Sequence, residues 1–431
     1  MGSAPDSTDY HRRVVDDELD ELMTGVAALA IEGPRGVGKT RTGLERARTV
    51  YRLDDPTTRA LVSADPSRVT TGRRPILIDE WQVLPETWDA VRTAVDSDRT
   101  PGQFLLTGSA VPVNAPTHPG AARIVAVRMR PMTLAERGLD APTVSLSQLL
   151  EGGRPAIGGS TSIGLEDYAR EVIASGLPGL RGLPGRALRA QLDGYIERVI
   201  DRDFEELGGL SIRNPSALRR WLRSYASALS STVSYEKIRD AATAGHEEKP
   251  AKTTVLRYLD VLERLWLIEP IPAWAPTRSS LRRLIQGPKH QLVDPSLAAR
   301  LLGAGVDTLL EGTPARPVIP RDGTLFGAMY ESLVALDVRA YAQGAEAATG
   351  HLRTRNGDRE VDLIVERPDR RVLAIEVKLG RTVRDDDVRH LIWLQEHIGA
   401  DLLDAMVVST GPEAYRRADG IAVVPAALLG P

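Results

Sequence analysis

Three short apolar runs mark the first third of the chain: "VAALAI" at 26–31, "ILI" at 76–78 within "RRPILIDEWQ", and "GQFLLTGSA" at 102–110. Their length and lack of polar alternation predict strands buried on both faces, as in a parallel sheet. After the first run the chain crosses a glycine-rich turn into a stretch of Arg, Leu and Glu, so the local order is strand, turn, helix.

Farther along the period lengthens. "AIGGSTSIG" (156–164) reads as a loop and "LEDYAREVIASGLPGL" (165–180) as a helix closed by Gly-Leu-Pro-Gly. "LRAQLDGYIERVIDRDFEEL" (188–207) keeps apolar residues three to four apart and is expected to be helical. Three more helices and a short strand follow: "PSALRRWLRSYASALS", "SYEKIRDAA", "KTTVLRYLDVLERLW" and "LIEPIPAW". That order is the order of a winged helix, with the third helix in the recognition position.

"GDREVDLIVERPDRRVLAIEVKLG" (357–380) returns to period two and predicts a hairpin. In its second strand Ile375, Val377 and Leu379 share one face and Glu376 and Lys378 the other. In its first strand Val361 and Val365 are expected to face the core while Asp362 projects away, near Glu376 and Lys378.

The length of 431 residues exceeds what one core usually organises, so two or three domains are expected. A net charge of −3 removes any global attraction to nucleic acid or anionic membrane, leaving only local patches. Without cysteine there are neither disulfides nor thiolate metal sites, and the seven histidines form no ligand-spaced cluster. "VAALAI" is too short to span a bilayer, and the acidic "DDELDEL" before it is the wrong flank for a signal peptide. A cytoplasmic protein with no membrane partner is the expectation. Six of the 55 basic residues are lysine, and two of those six, Lys39 and Lys378, fall inside motifs.

Gly33, Gly38, Lys39 and Thr40 satisfy G-x-x-x-x-G-K-[ST], the phosphate-binding loop. Its backbone N–H groups and the following helix N-terminus attract phosphate oxygens. The nucleotide-binding set is Gly33, Pro34, Arg35, Gly36, Val37, Gly38, Lys39, Thr40 and Arg41. Lys39 would reach the β- and γ-phosphates of ATP, and the Thr40 hydroxyl would ligate Mg²⁺. The strand "ILI" ends in Asp79 and Glu80, placing Asp79 in the Mg²⁺ shell and Glu80 where it orients or deprotonates the attacking water. Thr107 and Ser109, at the end of the third strand, are suited to the γ-phosphate or that water, or simply lead into a loop. Arg123, Arg128 and Arg130 are candidates for a positive charge delivered to another subunit of a homo-oligomer, or for surface and strut roles.

These residues, with "YHRRVVDDELDEL", "LDDPTTRAL", "PGQFLLTGSA" and "MRPMTLAERG", resemble in order the prokaryotic AAA-type ATP-binding proteins that carry a C-terminal domain of unknown function, DUF4143. The resemblance spans residues 10 to 140 and implies an AAA+ ATPase core, with Lys39, Thr40, Asp79 and Glu80 in the roles just given and Thr107 to Ser109 as a sensor segment. "SGLPGL" and "IDRDF" resemble the same family.

Asp362, Glu376 and Lys378 on one sheet face would either hold a divalent metal between carboxylates, with the ammonium stabilising developing charge, or form a buried salt-bridge network without turnover, in which Lys378 takes Asp362 or Glu376 as its partner. This segment, over about 323 to 410, resembles the PD-(D/E)xK nuclease-like fold, in which a preceding helix adds another acid. Relatives commonly carry glutamate directly after "LF", where this chain has Gly327; Glu331, one turn on, is the substitute.

The fold expected is therefore α/β: an AAA+ P-loop NTPase core (1–140), a helical lid or linker (141–212), a winged-helix-like unit (213–290) and a restriction-endonuclease-like α/β domain (291–431). Lys252, Arg257 and Arg264 on the third middle helix, with Arg278, Arg282, Arg283 and Lys289 beyond it, would form a basic patch for DNA. Asp260 and Glu263 dilute it, and such units also serve as packing modules. The function expected is ATP·Mg²⁺ hydrolysis that switches the other modules. The rivals are an ATP-gated, metal-dependent DNA nuclease and a nucleotide-sensing DNA-binding regulator.

Overall fold

The computed structural model describes residues 10–109, 121–204, 214–243, 250–276, 287–311, 324–354 and 357–431. The chain opens with α1 (Val15–Leu22), β1 (Ala28–Glu32), α2 (Lys39–Leu44), β2 (Thr49–Arg52), α3 (Pro56–Ala64), β3 (Ile76–Asp79), α4 (Glu86–Ser97), β4 (Phe104–Gly108) and β5 (Ile124–Arg128). Asp55 starts α3 by accepting from the Thr58 N–H at 2.7 Å, with Pro56 at the first helical position.

The five strands form one parallel sheet in the order β2-β3-β4-β1-β5. β1, β3 and β4 are buried because both faces of the sheet are covered. Trp81, Trp88 and Val91 close one face. Leu19, Leu29, Ile31, Val37 and Leu77 fill the other. The sheet therefore carries β1, with its glycine turn, between β4 and β5, and sets Asp79 level with Thr107.

Next come β6 (Val144–Ser145), α5 (Leu146–Glu151), α6 (Leu165–Ala174) and α7 (Gly185–Arg198), which runs into a π-helical turn at Val199–Asp203. Then follow α8 (Pro215–Ser227), α9 (Tyr235–Thr243), α10 (Lys252–Arg264), α11 (Pro295–Leu302) and α12 (Val306–Glu311). After α10, antiparallel bridges pair Ile268 with Leu292 and Ile271 with Lys289.

The last stretch is α13 (Thr324–Gly344), β7 (Ala348–Arg353), β8 (Glu360–Glu366), β9 (Val372–Lys378), α14 (Asp385–Ile398), β10 (Leu402–Ser409), β11 (Tyr415–Arg416), β12 (Ala422–Pro425) and β13 (Leu429–Gly430). Its six-stranded mixed sheet has the order β11-β12-β10-β9-β8-β7. Residues of α13 cover one face and residues of α14 the other.

One hydrophobic cluster runs from Leu134 through the middle helices to Leu429, and β13 pairs with β6, so the two regions share a core. Among the described residues no helix is long and apolar enough to cross a membrane.

The hairpin forms as expected, but Val361 and Val365 do not share a face. Val361 packs with the α14 side, and Leu363 and Val365 with the α13 side. The β7–β8 ladder shifts register between Gly350↔Ile364 and Leu352↔Val361, three residues of β8 against two of β7, and this irregularity breaks the two-residue alternation. Beside it the Asp362 carboxylate accepts from Val377 N–H at 2.9 Å.

Candidate functional site

The turn after β1 is built for close approach. Gly33 has φ +154°, and a Cβ there would lie 2.2 Å from the Met129 carbonyl oxygen, so the loop runs against the segment after β5 only because no side chain intervenes. Gly38, at φ +109° immediately before α2, turns the chain so that Lys39 and Thr40 open the helix.

Lys39 is nearly buried and its Nζ donates to the carbonyls of Gly33 and Pro34, each at 2.8 Å. Burial lowers its pKa to about 8, only partly opposed by the field of Glu80 and Asp79. Its ammonium thus rests on neutral loop oxygens, with no carboxylate in contact among the described residues.

Thr40 Oγ1 donates to Asp79 Oδ1 at 2.7 Å, and Thr107 Oγ1 donates to the same oxygen. Residues 40, 79 and 107 meet because β3 and β4 are neighbours and β1 delivers the loop beside them. Glu80 sits in the left-handed region (φ 57°, ψ 45°), an uncommon conformation for glutamate, and its carboxylate accepts from the Gln82 side chain. Ser109 is buried at the end of this row.

A hydroxyl and a carboxylate oxygen in contact suit a hard divalent ion, and the glycine cradle suits phosphate. Arg35 faces Asp203 of the π-helical turn at 3.5 Å, and Arg41 pairs with Glu45 at 3.1 Å.

Arg13 escaped the sequence reading, although it lies in the quoted "YHRRVV". It is buried, donates to Val37 O at 3.0 Å and to Arg130 O at 2.8 Å, and pairs with Glu136 at 3.0 Å. It ties the phosphate loop to the strand exit.

The candidate arginines resolve into struts. Arg123 pairs with Asp96 at 2.8 Å. Arg128 and Arg130 both meet buried Glu269, at 3.0 and 2.7 Å, and Arg339 of α13 joins them at 3.0 Å. Burial alone would raise the Glu269 pKa, but the three guanidinium groups hold it down to about 2. Arg128 also lies 4.1 Å over the Trp266 ring. Held this way, Arg128 and Arg130 are turned to Glu269 within the chain. Glu269, a lone acid in the apolar "LIEPIPAW", was the overlooked signal.

In the C-terminal sheet Lys378 meets Glu376 at 2.8 Å, and Asp362 lies beside them. Glu331 also reaches this cluster, and Gly327 faces open space. What brings Glu331 in is Lys289. Its side chain is 1% exposed and its Nζ lies 2.8 Å from Glu331, 3.1 Å from Asp362 and 3.5 Å from Glu360.

Burial works against the Lys289 charge, yet the pull of Glu331 and Asp362 outweighs it and raises the pKa. Burial pushes Glu331 up to about 8 and Glu376 well above the carboxylate range, while Lys289 and Lys378 draw Asp362 down against its own burial. Lys289 therefore belongs to no basic surface patch. Lys252 and Arg264 pair with Glu236 and Asp260, and Arg278, Arg282 and Arg283 lie outside the described residues.

Three family models match the chain: "AAA domain" over residues 26–137, "Domain of unknown function (DUF8612)" over 165–308, and "Domain of unknown function (DUF4143)" over 326–429. Uncharacterized proteins of Mycobacterium bovis and Mycobacterium tuberculosis are each 27% identical over 366 residues, covering 82% of this chain and 71% of the relative. A Walker-type ATPase of Pyrococcus abyssi aligns with 70% of this chain and 98% of its own, at 16% identity and a TM-score of 0.40.

Proposed function

This chain is an AAA-type ATP-binding protein with a C-terminal DUF4143 region, and from that premise we propose that it hydrolyses ATP and uses the cycle to shift its middle and C-terminal regions as one body. The observation that carries the proposal is the meeting of Thr40, Asp79 and Thr107 beside Lys39 and the strained Glu80. Lys39 and the loop N–H groups bind the phosphates. Thr40 and Asp79 would hold Mg²⁺, which would supply positive charge against the phosphates. Glu80 takes the proton of the attacking water or orients it, and release from Gln82 frees its carboxylate to do so.

Two contacts support the coupling. Arg35 of the phosphate loop faces Asp203 of the middle region, and Arg128 and Arg130 at the exit of β5 grip Glu269. A phosphate that draws Arg35 away from Asp203 loosens the first contact, while the second keeps the shared core attached.

The second reading, an ATP-gated DNA nuclease at Asp362, Glu376 and Lys378, draws on the grouping of those three side chains with Glu331. The third, a DNA-binding regulator, draws on the order of α8, α9 and α10. The deciding experiment compares ATP hydrolysis by the wild type and Glu80→Gln, with and without duplex and single-stranded DNA, at two salt concentrations. Turnover that Glu80→Gln abolishes supports the ATPase, and wild-type turnover by the variant removes Glu80 from the role. DNA stimulation favours the nuclease or a motor. Nucleotide binding without turnover favours the regulator.

A further inference from the structure

The carboxylates of the C-terminal sheet are crowded in a way that needs a cation. Glu331 comes from α13, Glu360 and Asp362 from β8 and Glu376 from β9, and the charge of Asp362 acts on Glu376. Buried carboxylates at such separations repel one another and are held only with a compensating charge or bound protons. A hard divalent ion would supply that charge through oxygen ligands at about 2.0–2.6 Å. As they stand, the side chains do not suit one: among the described residues no group of three or more acidic or histidine side chains is placed to hold a metal ion. The space between Glu331, Glu360 and Asp362 is taken by the Lys289 ammonium, whose three N–H donors have those three carboxylates as neighbours.

We infer that the carboxylate centre is a cation site already filled by the chain's own Lys289. It takes no divalent metal while Lys289 is seated, and withdrawing that side chain opens a site for one hard divalent cation. A lysine suits the task where arginine would not, because a compact ammonium fits a pocket sized for an ion whereas a planar fork does not. Lys378 cannot do the same, since its ammonium is partly exposed and is turned to Glu376. The Oε1 atom of Glu376 has no hydrogen-bond partner among the described residues and lies 3.9 Å from His390 Nδ1.

The backbone that places Lys289 is fixed. Its N–H and carbonyl form two 2.9 Å hydrogen bonds with Ile271, and Glu269, two residues away, is gripped by Arg128 and Arg130. The lysine is thus delivered by the same strand pair that ties the nucleotide domain to the rest. The inference does not depend on ATP turnover, and its test uses nucleotide-free protein, so failure of one reading leaves the other standing.

The test is Mn²⁺ binding, followed by electron paramagnetic resonance of free Mn²⁺, on the full chain as wild type, Asp362→Asn, Lys289→Met and the double variant. Binding that Asp362→Asn does not remove belongs elsewhere and is subtracted. The wild type is expected to show no Asp362-dependent Mn²⁺. Lys289→Met, which keeps length and loses charge, is expected to gain one Mn²⁺ per chain, lost again in the double variant. Asp362-dependent Mn²⁺ on the wild type overturns the inference, as does a folded Lys289→Met that binds no more than the wild type. If circular dichroism shows Lys289→Met unfolded, Lys289→Gln takes its place, and the wild-type titration still tests the filled state directly.

Discussion

Two of the chain's few lysines lie beside acids in opposite electrostatic circumstances. Lys39 is buried against neutral carbonyls, and burial drags its pKa down to about 8. Lys289 is buried just as deeply among Glu331, Asp362 and Glu360, and its pKa is raised. The first ammonium is desolvated without an ion partner among the described residues, and on the proposed function the phosphate of ATP supplies that partner. The second is already saturated. Depth of burial does not separate a binding lysine from a structural one. The charge of its neighbours does.

The largest effect that can sharpen this contrast is on turnover. Glu80→Gln, which leaves Lys39 and the loop intact, should lower ATP hydrolysis by about a hundredfold to ten-thousandfold with ATP still bound. Next, Lys289→Ala leaves buried carboxylates without their cation and should cost about 3–5 kcal/mol in chemical denaturation. A cost under about 1 kcal/mol, the range of an exposed pair, would break the contrast by placing Lys289 among surface ion pairs.

Lys39→Ala should weaken ATP binding by about tenfold to a hundredfold, as expected for one charge-assisted contact. It should cost far less stability than Lys289→Ala, because it strands no acid. Titrating affinity against pH probes the same lysine more gently. With a free-protein pKa of about 8, Lys39 must take up a proton along with the phosphates above that pH. ATP affinity should then fall as pH rises past 8, by at most about tenfold per unit, and Lys39→Ala should flatten the slope. Least of all, Lys378→Ala should leave ATP turnover unchanged, since its partner is Glu376 of the C-terminal sheet.

How legible each region was follows from how local its chemistry is. The phosphate loop could be read because a strand, a glycine turn and a helix N-terminus occupy consecutive residues, and the structure brings Thr40, Asp79 and Thr107 together as neighbouring parallel strands require. Arg128 and Arg130 were ambiguous because an arginine's partner is set in space, and theirs, Glu269, is 139 residues or more away. Alternation puts Val361 and Val365 on one face, and it fails where the β7–β8 ladder shifts register between them. Lys289 was assigned to a basic patch by proximity in sequence to Arg282 and Arg283, although its side chain points inward.

By itself the sequence determined the elements whose forces act along the chain. Buried strands came from runs of Ile, Leu and Val, helices from the three-to-four spacing, and the phosphate loop from glycines that free the backbone. Tertiary structure alone decided which charges meet. A carboxylate's partner depends on distances of a few ångströms between segments far apart in sequence, and inside a low-dielectric core those distances set both charge state and vacancy. That is why Lys39 rests on the carbonyls of Gly33 and Pro34 while Lys289 is held by Glu331 and Asp362.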